Sequence, residues 1–178
     1  MNHPEKPHKH IILIGMPACG KSTVGVLAAK TLGYRFIDSD LIIQEREGRR
    51  LHRIIREEGQ AGFLRIEEEV NLTLGNHAAP SVIATGGSAV YSPAAMAHFK
   101  AVGTVVYLRL SFETVQKRLG NFTHRGVIMP AGYTLQDLYD ERCTLYEQYA
   151  DIIIDEGMTD NIGDVLHSLC AHFEKETD

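Results

Sequence analysis

Gly15, Gly20, Lys21 and Ser22 stand in the spacing Gly-x-x-x-x-Gly-Lys-[Ser/Thr], which suits a loop that grips phosphate. Glycines let successive backbone N–H groups converge on phosphate oxygens, and a helix N-terminus behind them adds partial positive charge. The candidate nucleotide-binding residues are therefore Gly15, Ala18, Cys19, Gly20, Lys21, Ser22 and Thr23. Lys21 is placed to reach the β- and γ-phosphates, and the Ser22 hydroxyl to sit on Mg²⁺. Both flanks fit. The apolar run Ile11 to Ile14 has the length of a strand buried on both faces. After the loop, Val24, Leu27, Ala28 and Leu32 recur at helical spacing up to Gly33, a C-cap residue. Such a chain binds a nucleoside triphosphate together with Mg²⁺.

Further polar groups fall where a ligand at that loop would meet them. Asp38-Ser39-Asp40 closes an expected strand, and two acids one residue apart suit two tasks. One can hold the Mg²⁺ shell while the other faces an acceptor hydroxyl as base. An Asp N-cap for the next helix is the structural alternative. Thr85-Gly86-Gly87-Ser88 follows another apolar run, and paired glycines there permit close backbone approach to a ligand. Arg65 lies among Glu67, Glu68 and Glu69, where an intrahelical ion pair is the default. Arg118, Arg125 and Arg142 flank or occupy the stretch Gly120 to Gly132, a breaker-rich loop that suits a water-excluding lid.

The elements that must position these groups can be read from periodicity. Strands are expected at 11–14, 35–38, 81–85, 104–110 and 151–155, with helices at 22–32, 40–47, 51–57, 62–76, 93–100, 111–119, 134–149 and 160–174. This alternation predicts an α/β fold, a doubly wound and mostly parallel five-stranded sheet flanked by helices. Ligands then bind at the carboxyl ends of the strands. Residues 1–9 are polar and Pro-punctuated and read as a disordered lead-in, leaving 10–178 as one domain.

Composition excludes other classes. At 178 residues with a net charge of −5, the chain is a poor match for nucleic acid or an anionic membrane as main partner. No apolar run approaches the about 18 residues a membrane span needs. Cys19, Cys143 and Cys170 form no C-x-x-C pair, which fits a reducing cytoplasm and offers no metal site.

The chain resembles the shikimate kinase family. The resemblance is carried by Gly15 to Thr23, Phe36-Ile-Asp-Ser-Asp40, Gly62-Phe-Leu-Arg-Ile-Glu67, Thr85-Gly86-Gly87, Val105-Val-Tyr-Leu108, Arg118-Leu-Gly-Asn121 and Arg142-Cys-Thr-Leu-Tyr146, in order and spacing. It implies a P-loop fold of the nucleoside monophosphate kinase type with a lid at about 120–132. It also implies transfer of the ATP γ-phosphate to a ring hydroxyl of a small cyclic carboxylic acid, by a cytoplasmic and monomeric enzyme. Carried over by position, Lys21 holds phosphate, Ser22 and Asp38 arrange Mg²⁺, and Asp40 is the base at the acceptor hydroxyl. Arg118 stacks on adenine, and Arg125 swings onto phosphate with the lid. Gly86, Gly87 and Arg142, with Arg65 nearby, bind the acceptor.

Departures gather on the acceptor side. Leu64 stands where the family has a carboxylate-binding Arg, and Arg65 is one step, about 100°, around the helix. Ser88 replaces the third glycine of a Gly-Gly-Gly run, Arg125-Gly-Val-Ile128 replaces Arg-Pro-Leu-Leu, and Thr144 replaces Pro. Shikimate is the expected acceptor. The alternatives are a paralogous kinase for another small polyhydroxylated acid and a nucleotide-binding regulator that has lost catalysis.

Overall fold

Five runs of apolar and β-branched residues pair into one all-parallel sheet. The computed structural model describes residues 10–120, 127–155 and 161–174. The lead-in expected at 1–9 and the part of the lid at 121–126, Arg125 included, lie outside them. The strands are β1 (His10–Ile14), β2 (Arg35–Asp38), β3 (Ser81–Ala84), β4 (Gly103–Arg109) and β5 (Ile152–Asp155). Their order is β2-β3-β1-β4-β5. Every pairing is parallel, with Asp38 opposite Ala84, Leu13 opposite Ala84 and Ile14 opposite Tyr107.

The register lines up the carboxyl ends of β2, β3, β1 and β4, and the direction of winding reverses at β1. That switch point is where an open α/β sheet leaves a crevice. The centre of the sheet is the core: Ile11, Ile12, Leu13 and Ile14 of β1, and Val105, Val106 and Leu108 of β4, are fully buried. Burying each such side chain is worth roughly 1.5–3 kcal/mol. The sheet is therefore a stiff platform for the loops at its edge.

Among the described residues the helices are α1 (Lys21–Leu32), α2 (Ser39–Glu47), α3 (Leu51–Asn71), α4 (Pro93–Val102), α5 (Phe112–Leu119), α6 (Leu135–Tyr149) and α7 (Ile162–Phe173), with a short 3-10 turn at Ala89–Tyr91. Where two helices are expected at 51–57 and 62–76, the backbone runs as one element broken at Gly59, whose φ of 69° and ψ of 178° are not helical. The second piece also stops sooner, at Asn71. There Thr73 N and Leu74 N turn back to Val70 O and Asn71 O, and Gly75 follows at φ 79°. The helix closes by tightening into i to i+3 bonds, which leave no signature in hydrophobic spacing.

Capping fixes the local geometry at the site. The first turn of α2 is capped by Asp38, whose Oδ1 accepts from Asp40 N at 3.0 Å and Leu41 N at 3.3 Å. A cap of this type is worth about 1 kcal/mol. Asp38 thus both ends β2 and starts α2, and Asp40 falls inside the first turn. No helix of the described residues is long and apolar enough to cross a membrane.

Candidate active site

The loop between β1 and α1 is shaped by backbone that few residue types adopt. Gly15 sits at φ 147°, and a Cβ there would stand 2.7 Å from Leu108 O and 2.9 Å from Cys19 Sγ. Ala18, at φ 65°, is the one non-glycine residue with positive φ in the described chain. An L-residue in that region costs roughly 1–2 kcal/mol, so the loop holds strain next to its ligand-facing amides. Lys21 is 8% exposed, and its Nζ donates to Gly15 O at 2.7 Å and Met16 O at 2.9 Å. The ammonium is folded over the loop that it would share with a phosphate.

Ser22 Oγ donates to Asp38 Oδ2 at 2.6 Å. With Oδ1 spent on the helix cap, this second oxygen and the hydroxyl form a pair of hard oxygen donors beside the phosphate loop. Mg²⁺ takes few protein ligands and completes its shell with water and phosphate oxygens, and this donor set fits it.

A cavity of about 300 Å³ opens over these groups, lined by Ala18, Gly20, Lys21, Ser22 and Thr23 from the loop, Asp38 and Asp40 from the β2–α2 junction, and Gly86 and Gly87 after β3. Leu51, Phe63, Glu67, Ser88, Leu119 and Val127 also line it. Burial and the nearby Asp38 charge push the Asp40 carboxyl up to about 6, against the pull of Lys21. Gly86 N donates to Ser39 Oγ at 3.0 Å, which pins the glycine pair to α2. A Cβ on Gly86 would overlap Glu67 Oε1 and stand 3.1 Å from Asp40 Oδ1.

Not every expected site residue lines this cavity. Gly15 and Cys19 lie behind the loop; Cys19 is 1% exposed. Arg118 Nη1 donates to Ala18 O at 3.5 Å, tying α5 to the phosphate loop. Arg65 is exposed and lines a neighbouring cavity with Leu64. Arg142 is 1% exposed, its guanidinium carbon 5.2 Å from the centre of the Tyr91 ring. Its Nη2 donates to Ile128 O at 2.6 Å and its Nε to Tyr91 Oη at 3.3 Å. Its Nη1 lies 3.1 Å from where a Gly87 Cβ would be, so one N–H edge borders the glycine pair. Arg109 ends β4 in ion pairs with Asp155 at 2.7 Å and Glu147 at 3.5 Å.

Glu67 was hidden in the sequence by its acidic neighbours. It is 2% exposed, its Oε2 accepts from Ser88 Oγ at 2.6 Å, and its Oε1 has no hydrogen-bond partner among the described residues. Burial raises its carboxyl to about 7, the Ser88 bond opposing and the Asp40 charge adding to the rise. The signal was available: Phe63 and Val70 mark the buried stripe of α3, and Glu67 falls between them at helical spacing.

A phosphate loop at the switch point, an oxygen pair suited to Mg²⁺, and an acidic cavity whose glycine pair has a buried arginine beside it define an ATP-dependent small-molecule kinase with the P-loop fold. The shikimate kinase family profile matches residues 17–171. A shikimate kinase of Paracidovorax citrulli is 35% identical over 171 residues, covering 94% of this chain and 93% of that one. One of Thiobacillus denitrificans is 39% identical over 148 residues, 82% and 80% of the two chains. The solved shikimate kinase of Acinetobacter baumannii in complex with shikimate superposes with a TM-score of 0.83 at 29% identity, covering 95% of this chain and 94% of that one. The chain belongs to the shikimate kinase family. A gluconokinase of Sinorhizobium meliloti, at 15% identity and a TM-score of 0.50, shares the fold alone.

Proposed function

We propose that this enzyme transfers the ATP γ-phosphoryl group to a ring hydroxyl of shikimate. ATP supplies the phosphoryl group, and Ser22 and Asp38 would hold a Mg²⁺ ion that offsets phosphate charge. The observation that carries the reading is the position of Asp40. Its carboxylate lies against the bare Cα of Gly86, in one cavity with Lys21 and the Ser22–Asp38 pair. A hydroxyl lying along Gly86 and Gly87 is within reach of Asp40 as base and faces the phosphate loop.

Lys21 has two of its three donors on the Gly15 and Met16 carbonyls, and those that turn to phosphate meet charge that grows during transfer. Arg142 offers its Nη1 edge to a carboxylate, while Tyr91 and Ile128 hold the rest of the guanidinium. Arg118, which donates to Ala18 O of the phosphate loop, is assigned to the adenine side, and Arg125, outside the described residues, is assigned to phosphate.

ADP release with MgATP, measured with shikimate and without it, tests this directly. Shikimate is expected to stimulate release, and Asp40→Asn to remove most of the stimulation while ATP still binds. ATP binding with no stimulation by shikimate would sink the assignment. Leu64 supports a second reading, a related polyhydroxylated acid as acceptor, because an apolar side chain stands there in place of a second carboxylate-binding arginine.

A further inference from the structure

A second cavity, of about 130 Å³, adjoins the first and shares Glu67 and Ser88 with it. A space near ~150 Å³ is enough for a six-membered ring. Its wall includes Asn71, which is fully buried in the last turn of α3. Neither the carboxamide oxygen nor the nitrogen of Asn71 has a hydrogen-bond partner among the described residues. Buried polar groups are nearly always paired, and a buried carboxamide left without partners is costly. A side chain of leucine shape would fill the same place without that cost. The amide is thus a polar feature that the fold alone does not call for.

The chemistry of the wall limits what the amide can meet. A carboxylate, which only accepts, would leave the Asn71 oxygen unpaired. It would also face the carboxyls of Glu67 and Glu68, the latter accepting from the Ser92 hydroxyl, while Arg65, the one cation of this wall, is exposed. A purely apolar group would leave Asn71 unpaired. The complement of a carboxamide is a neutral group with a donor and an acceptor on adjacent positions.

We propose that this second cavity is a binding subsite for a neutral group that presents an adjacent donor and acceptor, a primary carboxamide or a vicinal diol. The group arrives as an arm of the phosphoryl acceptor or as a separate small molecule beside it. Only the first source rests on the kinase reading above.

The test is a titration of the ¹⁵N-labelled full chain with acetamide, with N,N-dimethylacetamide as a control that has no donor hydrogen. The Asn71 side-chain amide signals should shift saturably with acetamide, and the control should bind at least tenfold more weakly. In Asn71→Leu, which should melt at a higher temperature, the backbone signals of Glu67 and Ser88 should no longer respond. No saturable shift at Asn71, an equal response to the control, or a persisting response in Asn71→Leu would each overturn the proposal. The comparison of the two amides on the unmodified chain decides the matter even if the variant does not fold.

Kinetics then separate the sources. A rise in KM for shikimate with unchanged kcat assigns the subsite to an arm of the acceptor. Binding that leaves KM unchanged assigns it to a separate molecule. Should shikimate give no turnover at all, the function proposed above fails while the titration still decides this one.

Discussion

Glu67 Oε1 and Asp40 Oδ1 both lie against the bare Cα of Gly86, so one glycine spaces two acids, Glu67 buried and Asp40 half-buried, at the wall of the site. A Cβ there would overlap the Glu67 oxygen, so any other residue must displace it. Gly86→Ala must push Glu67, Asp40 or the backbone aside, and overpacking of this kind costs roughly 1–3 kcal/mol. The displacement falls on the proposed base, so kcat/KM for the acceptor is expected to drop by about 100-fold or more. ATP affinity, set by the loop on the other wall, should change far less. Paired steady-state and nucleotide-binding measurements check this; equal losses in both would place the damage elsewhere.

The buried acid also makes a prediction for stability. Glu67 has its carboxyl raised to about 7 from an ordinary 4.5, chiefly by burial. A raised acid binds its proton more tightly in the folded state, so its contribution is most favourable below about pH 4.5. It is lost as pH rises through about 7. Glu67→Gln keeps the shape and removes the charge. The variant should match the parent near pH 4 and exceed it at pH 8, by no more than about 3.5 kcal/mol given about 1.4 kcal/mol per pKa unit. Urea denaturation at the two pH values measures the difference. A variant less stable than the parent at pH 8 would show that the carboxylate is held by stronger partners than Ser88.

Asp40 sets the corresponding limit on activity. Its carboxyl is raised to about 6, and only the ionised form can accept a proton. With both substrates below saturation, kcat/KM should therefore fall as pH drops through about 6. Asp40→Glu, which keeps the carboxylate, should keep an acid limb, whereas Asp40→Asn should leave a low and flat profile.

Ala18 offers a test of strain. At φ 65° it occupies backbone that glycine takes freely. Replacing a residue by glycine is usually destabilising, but here the left-handed penalty, roughly 1–2 kcal/mol, exceeds glycine's entropic cost of roughly 0.5–1 kcal/mol. Ala18→Gly is expected to raise stability by up to about 1 kcal/mol, seen as a small increase in Tm. A clear fall in Tm would mean that the methyl group packs too well to lose.

Much of this was legible in the sequence, and the reasons differ by element. β1 and β4 read clearly because strands buried on both faces are continuous apolar runs. The phosphate loop read clearly because its glycines serve backbone geometry that no other residue provides. The break at Gly59 was marked by the gap between two helical patterns, yet nothing local says that the chain continues on the same path. The sequence called for an aspartate cap on α2, with Asp40 before Leu41 one choice, and the structure gives the cap to Asp38, which serves both the helix and Ser22. Glu67 and Asn71 were masked for one reason. A polar residue on a buried stripe looks like a solvated one unless the phase of the helix is trusted over residue type. Arg65, placed with the acceptor by its neighbours in sequence, sits on the rim of the second cavity because one residue rotates a helix by about 100°.

Leu64 and Ser88, the two departures from the family pattern on the acceptor side, line the same cavity wall as Glu67. Leu64 is three residues before Glu67 on α3, a spacing that brings side chains together. An arginine at 64 can reach the Glu67 carboxylate, whose one hydrogen-bond partner among the described residues is the Ser88 hydroxyl at 2.6 Å. Ser88→Gly alone leaves both carboxylate oxygens unpaired and should cost about 1–3 kcal/mol of stability. Leu64→Arg supplies a charge-assisted partner, so the double variant should recover much of that loss. The two changes are then non-additive, with a coupling of about 0.5–3 kcal/mol. If the new guanidinium also meets the acceptor carboxylate, kcat/KM for shikimate should rise by roughly 10- to 150-fold, the worth of a charged hydrogen bond of about 1.5–3 kcal/mol. Four proteins, denatured by urea and assayed with shikimate, complete the cycle. Additivity within about 0.5 kcal/mol would show that Leu64 and Ser88 do not act through Glu67.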